Sequence, residues 1–375
     1  MPKVSVIIAT YNRAHFICEA IDSALNQTFK DFEIIVVDDG SSDNTREVLE
    51  KYGSTIYCIY HQVNKGRAEA RNTGIKNAKC EYIAFLDDDD IWLPHKLEEQ
   101  VAFLDSHPEI GLVHTFTETV DEQGHLLKKE TKNRFKLYKK AMKLGYTYEG
   151  MSRLCVMFLS TVMARKKCFD KGGIFDSSIP AFEDWDLYLR IALYYRIDTI
   201  TEPLVKYRLH KGQCSISEFI SGRIQTSLKH LSLINSGREL CRRGKVSYNF
   251  YMHLVIMYYI ASDFTECRKY ALQALKLKPF ALFRSQLGFY LLMMLLPFNF
   301  IRWIRQVEPL GLKADAPSPK QKHPSQSFVP GLKPRGFLRR GLKKNSRLNK
   351  LQMYPQRIIP KETYGGPLAA HLKRY

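Results

Sequence analysis

Four consecutive carboxylates, Asp87, Asp88, Asp89 and Asp90, follow directly on the apolar run Tyr82-Ile83-Ala84-Phe85-Leu86. A buried strand has no use for such charge unless something neutralises it, and adjacent carboxylates repel until a cation or a shared proton intervenes. Hard Mg²⁺ or Mn²⁺ takes oxygen ligands, and nucleotide-handling sites hold it with one or two carboxylates while phosphates and water complete the shell. The competing assignment is an acidic helix start, since Pro94 can open a helix running to Leu104 and carboxylates stabilise a helix N-terminus. One or two Asp would serve that purpose. Four in a row point to a metal site.

The elements that must position these groups are legible upstream. Residues 4–10 and 32–39 are short runs rich in β-branched side chains, and 16–25 between them has helical spacing, which makes a βαβ unit. A second helix starts near the caps Ser41, Ser42 and Asp43 and runs to about residue 52, a third strand covers 56–60, and another helix, 68–78, precedes strand 82–86. Such alternation builds a mainly parallel sheet covered on both faces, with ligands beyond the carboxyl ends of the strands. Thr10-Tyr11-Asn12, Asp38-Asp39-Gly40 and the Asp87–Asp90 run all fall at such ends, so three polar clusters share one edge. Neither a GxGxxG nor a GxxxxGK[ST] fingerprint occupies the first turns, which argues against a dinucleotide oxidoreductase or a P-loop NTPase.

Five segments in order, VSVIIATYNR, VVDDGSSDNT, NKGRAEARNTG, EYIAFLDDDDIW and FEDWDLYLR, resemble the motifs of inverting family-2 glycosyltransferases. The likeness spans roughly the first 210 residues. It implies an α/β fold of the GT-A type, a Rossmann-like, mainly parallel sheet with flanking helices, here followed by a C-terminal α-helical appendage. By the same resemblance Ala9, Tyr11, Asp39, Arg71 and Asp88 are nucleotide-binding residues, with Tyr11 against the base and Asp88 near the ribose hydroxyls. Asp87, Asp89 and His210 are the implied ligands of Mn²⁺ or Mg²⁺, and Asp184 is the general base on the acceptor hydroxyl. Simpler roles stand beside these: a core aromatic for Tyr11, a helix cap for Asp39, a solvated charge for Arg71 with Arg67 as its competitor, a helix-start acid for Asp184, and a solvated loop residue for His210. Asp90 stays outside the metal set, and Asp186 fits the helix-start role as well as Asp184 does.

The implied activity is metal-dependent inverting transfer of a sugar from a nucleoside-diphosphate sugar, UDP-linked by expectation. The acceptor is a hydroxyl on a glycan, a lipid-linked molecule or another glycoconjugate of the cell surface. Two other classes use similar parts. A nucleotidyltransferase needs a Gly-rich basic loop after its first strand, and Ala9-Thr10-Tyr11-Asn12 is not one. A non-catalytic sugar-nucleotide-binding protein on the same scaffold has no need of Asp39, Asp89 and Asp184 together.

Length and charge set the remaining expectations. The 375 residues carry a net charge of +19, and eight Cys lie scattered without zinc-ligand spacing or a recognisable leader, as in a reducing cytoplasm. We expect a catalytic domain over 1–215, with a donor half to about 110 and an acceptor half over 111–215 whose pocket is drawn from 115–159. A helical appendage follows over 216–305, in which 263–279 resembles half of a tetratricopeptide repeat. The run 287–298 is strongly apolar but shorter than the roughly 20 residues a span needs, so it is either a buried helix or a segment lying on a membrane surface. Residues 302–375 hold 17 Lys and Arg against three acids with nine Pro, a composition that reads as a disordered basic tail. An anionic membrane surface contacted through 287–375, peripherally on the inner face of the plasma membrane, is the first-ranked partner, and nucleic acid the last, for want of an aromatic-rich recognition sheet.

Overall fold

The computed structural model describes residues 2–236 and 243–279. Two runs rich in β-branched residues form β1 (Val4–Thr10) and β2 (Phe32–Asp38), and the tyrosine-flanked run Tyr57–Tyr60 forms β3, with α1 (Ile17–Leu25) and α2 (Thr45–Glu50) between them. After α3 (Arg67–Asn77) come β4 (Tyr82–Asp87), the two-residue β5 (Ile91–Trp92), α4 (Lys96–Ser106) and the long β6 (Ile110–Val120). The chain continues through α5 (Lys128–Leu144), α6 (Tyr148–Arg153), β7 (Met163–Arg165), α7 (Lys167–Gly172), α8 (Glu183–Ile191) and β8 (Arg196–Arg208).

One sheet holds all eight strands in the order β3-β2-β1-β4-β7-β6-β8-β5. The first four are mutually parallel, β7 runs antiparallel to both β4 and β6, β6 and β8 are parallel, and β5 lies antiparallel on β8. Registers Thr10↔Asp38 and Ala9↔Asp87 bring the carboxyl ends of β1, β2 and β4 level. The strand period of two then sorts the core. Val6, Ile8, Ile34, Val36, Ala84 and Leu86 face α1 and α4, while Ile7, Ile35, Val37, Ile83 and Phe85 face α3 and α8.

The segment 115–159 is not built of irregular pocket loops throughout. It opens on β6, which is buried along almost its whole length on both faces, so its side chains lack the alternation that marks a half-exposed strand. Beyond β8 come α9 (Ile216–Asn235), α10 (Arg243–Ile260) and α11 (Phe264–Leu277). Ser215 and Glu218 close a reciprocal capping box at the start of α9. Helical pattern alone reads 250–277 as continuous, but Ser262 at φ 63° and the cap from Asp263 to the Glu266 amide break it into α10 and α11. Leu231, Ile234, Val246, Phe250 and Leu254 of α9 and α10 belong to the same buried cluster as Trp185 and Leu189 of α8, so these helices complete the core around α8. All described residues lie in one unit, 1–295. The apolar run 287–298 and the basic tail lie outside the described residues, and among the described residues no helix is long and apolar enough to cross a membrane.

Candidate active site

The acidic turn is held by backbone and side-chain bonds from two other strands' ends. Ser160 receives the Asp87 amide at 3.0 Å and donates its hydroxyl to Asp90 Oδ2 at 2.6 Å. Asp90 Oδ1 accepts the Arg208 amide at 3.0 Å, and the buried Arg208 guanidinium donates to the Asp89 carbonyl at 2.8 Å and to Glu19 Oε2 at 2.6 Å. Asp90 therefore fastens the turn to β8, and burial, with Asp89 and Asp87 nearby, holds its carboxyl well above the usual range. Asp88 is pushed up to about 8 by burial and by Asp89, with Arg13 Nε 4.0 Å from Oδ1. Crowding of this kind favours a positive charge at the turn.

Arg71 spans the cleft. Small residues on α3, among them Ala68 and Ala70, let that helix lie close on the sheet and carry the guanidinium inward. One terminal nitrogen donates to Glu183 Oε1 and the other to Asp87 Oδ1 at 2.7 Å, above the Phe175 ring. Its competitor Arg67 lies apart, partly exposed and 3.8 Å from Glu218. Glu183 was missed as a site residue by sequence reasoning; the available signal was a cationic residue on a helix face of small apolar neighbours, which demands an acid partner. Ser160, Arg13 and Arg208 were missed as well.

The three acids at the start of α8 divide their work. Glu183 pairs with Arg71. Asp186 is fully buried, accepting from His230 Nε2 at 3.0 Å, from Arg190 at 2.9 and 3.0 Å and from Lys229 at 3.0 Å, which ties α8 to α9. His230 in turn meets the Tyr148 hydroxyl at 2.6 Å. Asp184 remains half-buried, its Oδ1 accepting the neighbouring Trp185 amide at 2.7 Å. Burial and then Glu183 push its carboxyl up to about 7 against the pull of Arg71. Phe182, just before it, sits in the left-handed region at φ 66°, where a non-glycine residue is strained. Gly222 of α9 packs on the Ala181 carbonyl so closely that a Cβ would collide with it, and Phe219 and Arg223 lie against the Phe182 ring.

At the ends of β1 and β2, Tyr11 is 42% exposed, an open aromatic face and not a core residue. Ala9 is only partly buried, in register with Val37 and Asp87. Asp39 is 2% exposed and accepts from His61 Nδ1 at 2.7 Å, the Lys65 amide at 3.0 Å and the Gly66 amide at 2.8 Å, so it fixes the 61–66 loop and caps no helix. Gly40 beside it has φ 78° and approaches the Val63 backbone, where a side chain has no room.

His210 returns from the end of β8 to place Nε2 2.8 Å from Asp89 Oδ2, packed on Phe16. The Gly212 amide donates to Nδ1 at 3.1 Å, so the proton sits on Nε2 and the ring donates to Asp89. Two carboxylates and an imidazole at one strand edge are a donor set suited to Mn²⁺ or Mg²⁺. Asp87 has Oδ1 on Arg71 and Asp89 has Oδ2 on His210, so among the described residues one oxygen of each carboxylate is left without a side-chain partner. His210 fits only in the tautomer that gives up the Gly212 amide. Among the described residues no three His, Cys, Asp or Glu side chains are grouped closely enough to hold a metal ion by themselves.

The family model described as "Glycosyl transferase family 2" matches residues 5–165. An uncharacterised glycosyltransferase of Rickettsia typhi is 35% identical over 214 residues, covering 56% of this chain and 65% of that protein, less than two thirds of its length. The Escherichia coli UDP-Glc:alpha-D-GlcNAc-diphosphoundecaprenol beta-1,3-glucosyltransferase WfaP is 34% identical over 224 residues, 58% of this chain and 82% of WfaP. Among solved structures, S. aureus TarS 1-349 in complex with UDP-GlcNAc superposes with a TM-score of 0.58 at 18% identity, covering 81% of this chain and 92% of that one, a likeness of fold.

Proposed function

The chain belongs to glycosyl transferase family 2, and we propose that it transfers a sugar from a nucleoside-diphosphate sugar, UDP-linked, to a hydroxyl acceptor with inversion at the anomeric carbon. The observation that carries this reading is the Arg71 bridge, which sets the acidic turn opposite the start of α8 and leaves Asp184 as the acid of that helix without an ion pair among the described residues. Support for a UDP donor comes from WfaP, named for UDP-Glc, and from the UDP-GlcNAc complex of TarS. WfaP's acceptor, a diphosphoundecaprenol-linked sugar, supports a lipid-linked acceptor here.

In this reading Tyr11 offers its exposed face to the base, Ala9 and Asp39 shape the base pocket, and Asp88 and Arg71 lie along the ribose and diphosphate. Asp87 and Asp89, with His210 beside them, would hold Mn²⁺ or Mg²⁺, which when bound supplies Lewis-acid stabilisation of charge on the leaving diphosphate. Asp184 takes the acceptor's proton as its oxygen bonds to the anomeric carbon and the carbon–diphosphate bond breaks, a single displacement that inverts configuration. The segment 287–375 adds peripheral contact with an anionic membrane on the cytoplasmic side. Incubating the full chain with a panel of nucleotide sugars, with and without Mn²⁺, tests the reading by release of nucleoside diphosphate. We expect slow metal-dependent hydrolysis of a UDP-sugar that Asp89→Asn abolishes. Undiminished turnover in Asp89→Asn sinks the metal assignment, and binding without turnover would return the chain to the class of non-catalytic binding proteins.

A further inference from the structure

Helix α5 carries a second cationic surface unrelated to the nucleotide site. Lys128, Lys129, Lys132, Lys136, Lys139 and Lys143 are all exposed, and among the described residues none is in an ion pair. At 100° per residue they fall within an arc of about 100°. The opposite side buries Thr131, Tyr138 and Ala141 against the core. Glu130 is the helix's one acid. Exposed Leu126 and Met142 flank the two ends of the stripe. On the inner side Arg134 stacks on Phe158 and Tyr207 and donates to Thr119, so the helix is joined to β6 and to β8, the strand that carries Tyr207 and Arg208.

We propose that the lysine face of α5 docks on an anionic lipid bilayer and turns the acceptor half toward it. Six like charges in one face repel one another and are relieved by a dense anionic plane. The stripe is straight, about 22 Å from Lys128 to Lys143 at 1.5 Å per residue, and apolar residues border it, both of which suit a flat interface better than a groove-bound polyanion. This contact deepens the proposed function, since it explains how a lipid-linked acceptor meets the cleft, but its test reads binding and not transfer.

The experiment uses the full chain and sedimentation with phosphatidylglycerol–phosphatidylcholine vesicles. Each basic residue near such a surface strengthens partitioning by about fivefold. The combined substitution Lys128→Gln, Lys132→Gln, Lys136→Gln, Lys139→Gln and Lys143→Gln should therefore weaken vesicle binding by at least about a hundredfold with an unchanged melt, because these side chains make no fold contacts. A charge-matched control at Lys30, Lys51, Lys76, Lys79 and Lys171 should bind within about twofold of wild type. Equal loss in the control, or none in the α5 variant, overturns the proposal, and the latter leaves the tail as the membrane contact. Loss of affinity for a single-stranded RNA without loss for vesicles would assign the face to nucleic acid instead. Donor hydrolysis in the absence of acceptor, read as release of nucleoside diphosphate, stays intact in either case, which separates failure here from failure of the catalytic reading.

Discussion

Replacing Arg71 by Met keeps the stem that packs on Phe175 and removes only the charge. The side chains of Arg71, Glu183 and Asp87 are 10%, 4% and 30% exposed. Glu183 is then a buried carboxylate with no counter-charge, and Asp87, already raised by burial, loses the cation that opposes the rise. Breaking a buried pair from one side costs about 3–5 kcal/mol, which for a domain of this size corresponds to a melting point lower by about 10 °C. The double variant Arg71→Met/Glu183→Gln removes the orphaned charge, and Asp87 is open enough to hydrate. It should recover about half of the loss, about 2 kcal/mol. Urea unfolding monitored by the fluorescence of Trp185, next but one to Glu183, together with calorimetry at pH 7.5, measures both. A single variant melting within about 2 °C of wild type, or a double variant no more stable than Arg71→Met, would refute the view that this bridge organises the site.

Because Asp184 must be ionised to accept a proton and its carboxyl is pushed up to about 7, kcat/KM should rise tenfold per pH unit until about 7 and then level off. Asp184→Asn should keep donor affinity, lose turnover by at least about a hundredfold and lack that limb; a mutant with weakened donor binding and surviving turnover would move Asp184 to the binding set. Burial works against Asp186, but His230, Arg190 and Lys229 hold its carboxyl below the ordinary range. Its stabilising contribution is therefore full above about pH 4 and fades as pH falls toward the folded value, so wild type should lose more stability than Asp186→Asn between about pH 5 and 3; parallel acid titrations of the two would contradict the network. Gly222→Ala should force α9 off the Ala181 carbonyl at a cost of about 1–3 kcal/mol and lower kcat more than it changes donor KM, because the displaced loop leads into Glu183 and Asp184. Unchanged kcat would mean α9 does not position the base.

What the sequence by itself determined is local in origin. The apolar runs of β1, β2 and β4 and the helices between them follow from patterns repeating every two or three to four residues, and parallel strands then compel the polar turns after Thr10, Asp38 and Leu86 onto one edge. The five ordered motifs fixed the family for the same reason. Only the tertiary structure decided which charge meets which. Arg71 finds Glu183 across 112 residues and Arg208 finds Glu19 across 189, choices among many acids and bases that no local period encodes. Burial of β6 on both faces erased the alternation that would have announced a strand inside the supposed pocket segment. The break between α10 and α11 rested on one residue in the left-handed region, Ser262, a residue type that seldom adopts it. Asp184 and Asp186 look interchangeable as helix-start acids in a string of letters. Packing separates them, because α9 brings His230 and Lys229 to one and leaves the other half-buried with only the Trp185 amide as a hydrogen-bond partner among the described residues.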